Sequence, residues 1–391
     1  MREIPNHGLA EQKRLLCSNS DPVVSIYLPS RRDAPNEPPV SLRLKNITRD
    51  ASGALQAWGL SDDETARCLR PVTELKDDLL FWRQPPAGLA LFLSPDQAYV
   101  CRCPLSFTPQ VFVDRRFNVL PLLPLLQHRE EYFVLALSLN HIRLIQASPF
   151  DAKDVTPRDV PRSLESFLGP KSREKQLQFH TGVAGSSPIR PAVHHGHGGC
   201  REGAVRKRDI LRLFQQVDSR LHGYLHKSSQ PLILAGVDYL HGLYREANRY
   251  PRLIPQGLRA NSALYTPTQL RALTWPLVAE HFRARRREIL HHCRSLMANG
   301  HASVSLSENL VAAHHARVAT LLVNARDHHR WGSFDEQAQE VEILNTYRPG
   351  AEDLVNRTVA ESLLSNAEVH TLDPERFSIR AATAAIFRYA A

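Results

Sequence analysis

No two cysteines are spaced Cys-x-x-Cys; the six that occur, Cys17, Cys68, Cys101, Cys103, Cys200 and Cys293, are scattered. That pattern excludes a zinc ribbon and supplies no disulfide framework. No apolar run approaches the ~20 residues that span a bilayer. The opening Met1 to His7 holds no apolar signal region, so the expected compartment is cytoplasmic and no membrane partner is expected. P-loop, dinucleotide and aromatic-rich RRM-type motifs are absent, as is the Gly-x-Ser-x-Gly nucleophile elbow. Low-complexity tracts and internal repeats are missing too.

What remains is an ordinary globular composition on a basic chain. The 391 residues are 42% hydrophobic and 23% charged, enough for two or three domains with buried cores. The net charge of +9 points to an anionic partner, nucleic acid first, with a generic basic protein as the alternative.

Hydrophobic periodicity divides the chain in three. Residues 1–127 read as an α/β domain: strands Val23–Pro29, Gly88–Leu93, Ala98–Cys103 and Gln110–Val113, with helices over Leu42–Ala57 and Glu64–Leu80. Cys101 and Cys103 share a strand face and are expected to pack as small apolar groups. Residues 128–298 begin with strands Tyr132–Leu137 and Ile142–Gln146, then a polar tract, Ser148 to Val193, with a short helix at Ser163–Leu168. Next comes a helix over Val205–Lys227 whose apolar positions Ile210, Phe214, Val217, Leu221 and Leu225 recur at helical spacing. A buried strand, Leu232–Gly236, a helix over Tyr239–Asn248, one starting at Thr266-Pro267 and a basic one over Leu277–Met297 complete this part. Residues 299–391 open with capping-box spacing at Ser305–Glu308. Strand Val318–Val323, helix Glu352–Asn366 and strands Ala367–Thr371 and Ile386–Tyr389 predict a small three-layer α/β domain.

The most unusual stretch is Val193-His194-His195-Gly196-His197-Gly198-Gly199-Cys200-Arg201. Paired Gly198-Gly199 lets successive N–H groups point one way, which suits phosphate or a developing oxyanion. The basic helix with Arg206, Lys207, Arg208 and Arg212 follows at once, a second reason to expect an anion here. A flexible surface loop is the bland alternative. His194, His195, His197 and Cys200 could also ligate a metal, but four ligands crowded into a glycine loop match no usual metal-site spacing, and no metal or cofactor is expected. The pairs His291-His292, His314-His315 and His328-His329 and the run Arg283–Arg287 fit structural or solvated roles more readily than a site.

In domain order and in this loop the chain resembles the archaeo-eukaryotic translation release factor and Pelota superfamily, specifically its bacterial branch. The family loop reads His-Gly-Arg-Gly-Gly-Gln before an arginine-rich helix; here it is His195-Gly196-His197-Gly198-Gly199-Cys200. The resemblance implies a mixed α/β protein with an RNase H-like middle domain and an L7Ae-like last domain. It implies binding at the aminoacyl-tRNA (A) site of the ribosome, in rescue or hibernation, with ribosomal RNA, tRNA and a translational GTPase as partners. It makes Gly198, Gly199 and Cys200 the candidate catalytic residues for peptidyl-tRNA hydrolysis, the second reading. His194, His195, His197, Arg201, Arg206, Lys207, Arg208 and Arg212 become candidate RNA contacts. Cys200 keeps a backbone amide but lacks the glutamine side chain that positions water. Lys45-Asn46-Ile47-Thr48-Arg49 shares two letters with the family's codon-reading Asn-Ile-Lys-Ser, and no codon reading is inferred. An RNA nuclease ranks last, because no carboxylate cluster is evident.

Overall fold

The computed structural model describes residues 1–4, 15–17, 20–31, 38–126, 130–169, 199–226, 228–324, 329–372 and 381–389, with residues 199–206 described by their backbone only. It is a mixed α/β protein in which Met1–Gln127 and Arg286–Ala391 form one compact unit and His128–Arg285 a second.

The first segment is organised by strand alternation. Strands β1 (Arg2–Ile4), β2 (Val23–Pro29), β3 (Gly88–Leu93), β4 (Ala98–Cys103) and β5 (Gln110–Asp114) form one sheet in the order β1-β4-β3-β2-β5. Every residue of β3 is buried. Leu89, Leu91 and Leu93 face one core while Ala90 and Phe92 face another, as a period of two requires. The first core is covered by α1 (Val40–Trp58) through Leu44, Ile47, Ala51 and Leu55, and by α2 (Asp62–Asp77) through Cys68, Leu69, Val72 and Leu75. The second is aromatic, with Tyr27 edge-on to Phe92, Phe107 and Phe112. Cys101 and Cys103 lie buried on that side with sulfurs 3.6 Å apart. Helix α2 opens with a reciprocal capping box between Ser61 and Glu64, and that hydroxyl holds the Glu64 carboxyl below its usual range. It stops at Asp77, short of the expected Leu80, because the Asp78 carboxylate accepts the N–H groups of Leu80 and Phe81 at 3.0 Å and turns the chain.

In the second unit β6 (Tyr132–Leu137), β7 (Arg143–Ala147) and β8 (Ala152–Asp154) run antiparallel, while β9 (Leu232–Gly236) and β10 (Leu253–Arg259) run parallel to β6. The order β10-β9-β6-β7-β8 is the arrangement expected of an RNase H-like core. Strand β8 corrects the reading of Ser148 onward as irregular: the Ser148 hydroxyl accepts the N–H groups of Phe150 and Asp151, reversing the chain so that β8 pairs with β7. A short α3 (Leu123–Leu126) precedes this unit in sequence and α4 (Leu164–Leu168) lies within it, capped by Ser163; residues 170–193 lie outside the described residues. One sheet face is covered by α5 (Gly199–Leu225) and α6 (Asp238–Ala247), the other by Leu270, Val278 and Phe282 of α7 (Pro267–Met297). Helix α7 replaces the two helices expected over 266–297 and runs through Pro276. An internal proline costs about 3 kcal/mol; the fully buried Leu270 and Val278 on either side each contribute about 1.5–3 kcal/mol, and the helix continues.

The last segment carries β11 (Ala302–Ser303), α8 (Leu306–His314), β12 (Val318–Asn324), β13 (Trp331–Asp335), β14 (Glu340–Ile343), β15 (Glu352–Asp353), α9 (Leu354–Leu364), β16 (Glu368–Leu372) and β17 (Thr383–Phe387). The main sheet runs β11-β17-β12-β16 and a small one β14-β13-β15. The Ser305 capping box is half made: Ser305 accepts the Glu308 N–H, but the Glu308 carboxylate binds Ser303. Its core is shared with the first segment, since Leu16, Val119, Leu120 and Leu123 pack among Leu310, Leu321, Val355 and Val359. A buried polar clamp fixes the register. Asn356 accepts the Val119 N–H at 2.9 Å and donates to the Phe117 carbonyl at 3.0 Å, while Asp114 accepts the Asp353 N–H at 3.0 Å.

Burial pushes the Asp114 carboxyl up to about 7; Asp353 and Glu352 nearby reinforce this, against the two N–H donors that oppose it. The folded-state value lies above the unfolded ~3.9, so this contribution is complete below pH ~4 and is lost as pH rises through about 7. Asp114→Asn removes the titration, so its melting temperature should gain on the wild type between pH 4 and 7.5 and then level off. Thermal scans from pH 4 to 8.5 check this; a pH-independent offset would exclude Asp114 as the titrating group.

Candidate nucleic-acid interface

Helix α5 is built around a buried stripe. Ile210, Leu213, Phe214, Val217, Leu221 and Leu225 are all buried against β6, β9 and α6 residues, with Phe214 edge-on to Tyr244. One carboxylate interrupts the stripe. Asp218 is buried and accepts both the main-chain N–H and the Nε of Arg249, at 3.2 and 2.9 Å. Burial, reinforced by Asp218, raises the Tyr244 hydroxyl well above its usual value. A charge-assisted pair of this kind holds the helix rotation about its axis as well as its position.

Rotation matters because of what it turns outward. Lys207, Arg208, Arg212, Gln215, Ser219, His222 and His226 are exposed. From Arg208 to His226 the spacing is i, i+4, i+7, i+11, i+14, i+18, one straight stripe about 27 Å long at 1.5 Å per residue. His222 and His226 stack with ring centroids 6.4 Å apart. The ion pairs among the described residues include Arg220 with Asp159 at 3.8 Å and Arg249 with Asp218, but none at Arg208 or Arg212. Their charge is therefore available to an anion running along the helix.

Of the residues singled out in the sequence, Arg208 and Arg212 share this face, while Lys207 is exposed about 100° around the helix from it. Gly199, Cys200, Arg201 and Arg206 lie in α5 itself, while His194, His195, His197 and Gly198 lie outside the described residues. The helix begins at Gly199 and not at Val205, so Gly199, Cys200 and Arg201 belong to its first turn and not to a loop. First-turn amides have no acceptor within the helix and sit at its positive end. Sequence reasoning missed Ser219, His222 and His226, which the 4-3-4-3-4 spacing from Arg208 would have found.

The other basic and histidine features are partly consumed by the fold. Arg283 pairs with Glu280 at 3.0 Å, and burial lowers the Arg286 pKa. His314 meets Glu361 at 3.2 Å, and His329 meets Asp353 at 2.6 Å. At the carboxyl ends of the parallel strands, Asp238 follows β9 but pairs with Arg259 at 3.1 Å. Among the described residues no three His, Cys, Asp or Glu side chains gather as a metal site.

Residues 131–317 match the model of bacterial archaeo-eukaryotic release factor family 3. That span is just under half of the chain. The matched span contains the whole β6–β10 sheet, α5 and α6. No curated protein sequence matches the chain. Among solved structures, a model of ribosome-bound archaeal Pelota and ABCE1 is similar at 11% identity, covering 99% of this chain and 96% of that one, with a TM-score of 0.39. Archaeal translation termination factor aRF1 is similar at 13% identity over 99% of both chains, with a TM-score of 0.25. The Dom34 protein of S. cerevisiae is similar at 10% identity over 75% and 74%, with a TM-score of 0.33.

The buried and exposed faces of α5 should separate in mutagenesis. Phe214→Ala should cost about 3–5 kcal/mol, whereas Arg208→Ala should change stability by less than about 0.5 kcal/mol. Urea unfolding of both variants checks this; equal losses would remove the two-faced description of the helix.

Proposed function

We propose that this protein binds the A site of the ribosome, with the exposed stripe of α5 lying along ribosomal RNA or tRNA backbone. The observation that carries this reading is the coincidence of two facts. The family match spans residues 131–317, and within it Arg208, Arg212 and the two stacked histidines form an exposed rail directly after the glycine-rich stretch. A phosphate chain matches such a rail because its charges repeat along one direction. Three functional segments, 1–127, 128–298 and 299–391, follow from the family resemblance, with the last L7Ae-like and a candidate surface for a translational GTPase. The setting is cytoplasmic. Rescue or hibernation fits better than ordinary termination, because Cys200 stands where the family's glutamine positions water.

Ribosome co-sedimentation at low and moderate salt tests the binding. Arg208→Glu with Arg212→Glu should weaken it at least about tenfold and reduce the salt dependence by roughly two phosphate contacts. Unaltered binding in the double variant, or none in the wild type, overturns the reading.

Peptidyl-tRNA hydrolysis is the second reading, favoured by the start of α5 at Gly199, which puts the Gly199 and Cys200 amides in the helix's first turn. On ribosomes loaded with peptidyl-tRNA, the wild type should release little peptide and Cys200→Gln should release more. Fast release by wild type that Gly199→Ala abolishes would reverse the order of the two readings.

A further inference from the structure

At one end of the last segment a cation is held between two aromatic rings. Arg317 follows the left-handed Ala316 (φ 55°) at the end of α8, and its main-chain carbonyl accepts the Arg388 N–H at 2.8 Å. That bond places Phe387 and Tyr389, two apart and on one side of the strand end, on the Arg317 guanidinium, which lies 5.4 Å from each ring centroid. Its Nε and Nη2 are buried and have no hydrogen-bond partner among the described residues. Buried donors left without acceptors are costly, and a fold that keeps them calls for a reason.

The surroundings supply one. Phe387 is buried, but Tyr389 is 55% exposed. Arg388, its neighbour in sequence, and His315, two residues before Arg317, are exposed as well. Arg388 donates to the carbonyls of Ala316 at 2.9 Å and Ser365 at 2.8 Å, closing the ends of α8 and α9, and no carboxylate pairs with Arg317 or Arg388 among the described residues. Glu361 of α9 is taken by His314 and Arg357, and Glu308 of α8 by Ser303. The patch therefore combines an exposed aromatic face, a guanidinium stacked behind it, a second arginine and a histidine, with its local charge positive.

We infer that Tyr389, backed by Arg317, is a stacking platform for an unpaired base of single-stranded RNA, with Arg388 and His315 for the adjoining phosphate. The chemistry selects this ligand. A π-face stacked on a cation takes any base, while base pairs in a duplex present no free face. An acidic peptide would use the charges but not the exposed ring. The platform lies outside the 131–317 family span except for His315 and Arg317, and it does not depend on α5.

The test uses the full chain and a fluorescent twelve-nucleotide single-stranded RNA, with a duplex of the same sequence and a poly-glutamate peptide as competitors. Tyr389→Ala should weaken RNA binding about tenfold and Tyr389→Phe should retain it; Arg317→Leu should weaken it comparably. Tyr389→Phe keeps the ring packing, so its retained affinity shows that loss in the alanine variant is loss of stacking. The Arg208→Glu, Arg212→Glu variant should leave the Tyr389 effect unchanged, which separates this platform from the α5 rail. Equal RNA affinity in wild type and Tyr389→Ala, equal loss on duplex and single strand, or poly-glutamate competing as well as RNA would each overturn the inference.

Discussion

A strand whose six side chains are all buried must be covered on both faces, and β6 sets that condition for the unit that carries α5. Phe133, Leu135 and Leu137 need α5 and α6; Tyr132, Val134 and Ala136 need α7. Helix α5 therefore cannot turn without exposing Phe214 and Val217, and the Asp218–Arg249 pair closes off the remaining rotation. The basic stripe faces outward because the apolar one has no other place to go. Core packing and ligand-facing chemistry are here two sides of one helix.

The same economy of faces appears in the other unit, with a polar lock in place of a greasy one. At the start of α9, the Asp353 carboxylate caps its own helix while its main-chain N–H donates to the Asp114 carboxyl, and the Asn356 amide holds the main chain at Phe117 and Val119. Each bond satisfies a buried group that water cannot reach, so the two segments have one acceptable register against each other. Asp114 is the weak point of that lock, since it must carry a carboxyl among carboxyls.

Much of this was legible in residue order. The fully buried β3 and β6 and the amphipathic α1 follow from periodicity and lie close to their expected bounds, and the apolar stripe of α5 falls where helical spacing put it, although that helix starts at Gly199 and not at Val205. What failed had physical causes. Strand β10 contains Pro255 and Gly257 and shifts register between Leu253 and Gly257, so it shows no strand pattern. The β13–β14 hairpin has only Gly332, Phe334 and Val341 turned inward, too few for periodicity to register. The run through Pro276 was set by burial at Leu270 and Val278, which local propensity does not contain. At the candidate interface Arg208 and Arg212 were found by charge, whereas His222 and His226 required that charge be followed along the helix phase that the apolar stripe already fixes.

One consequence of the shared core concerns how this chain is made. Leu16, Val119, Leu120 and Leu123 leave the ribosome well before the residues that cover them, which lie between Leu306 and Phe387. The middle unit is continuous in sequence and can close on its own while synthesis proceeds. The first segment cannot, and its apolar side waits, open to chaperones and to other chains, until the stretch from Leu306 to Phe387 has been made.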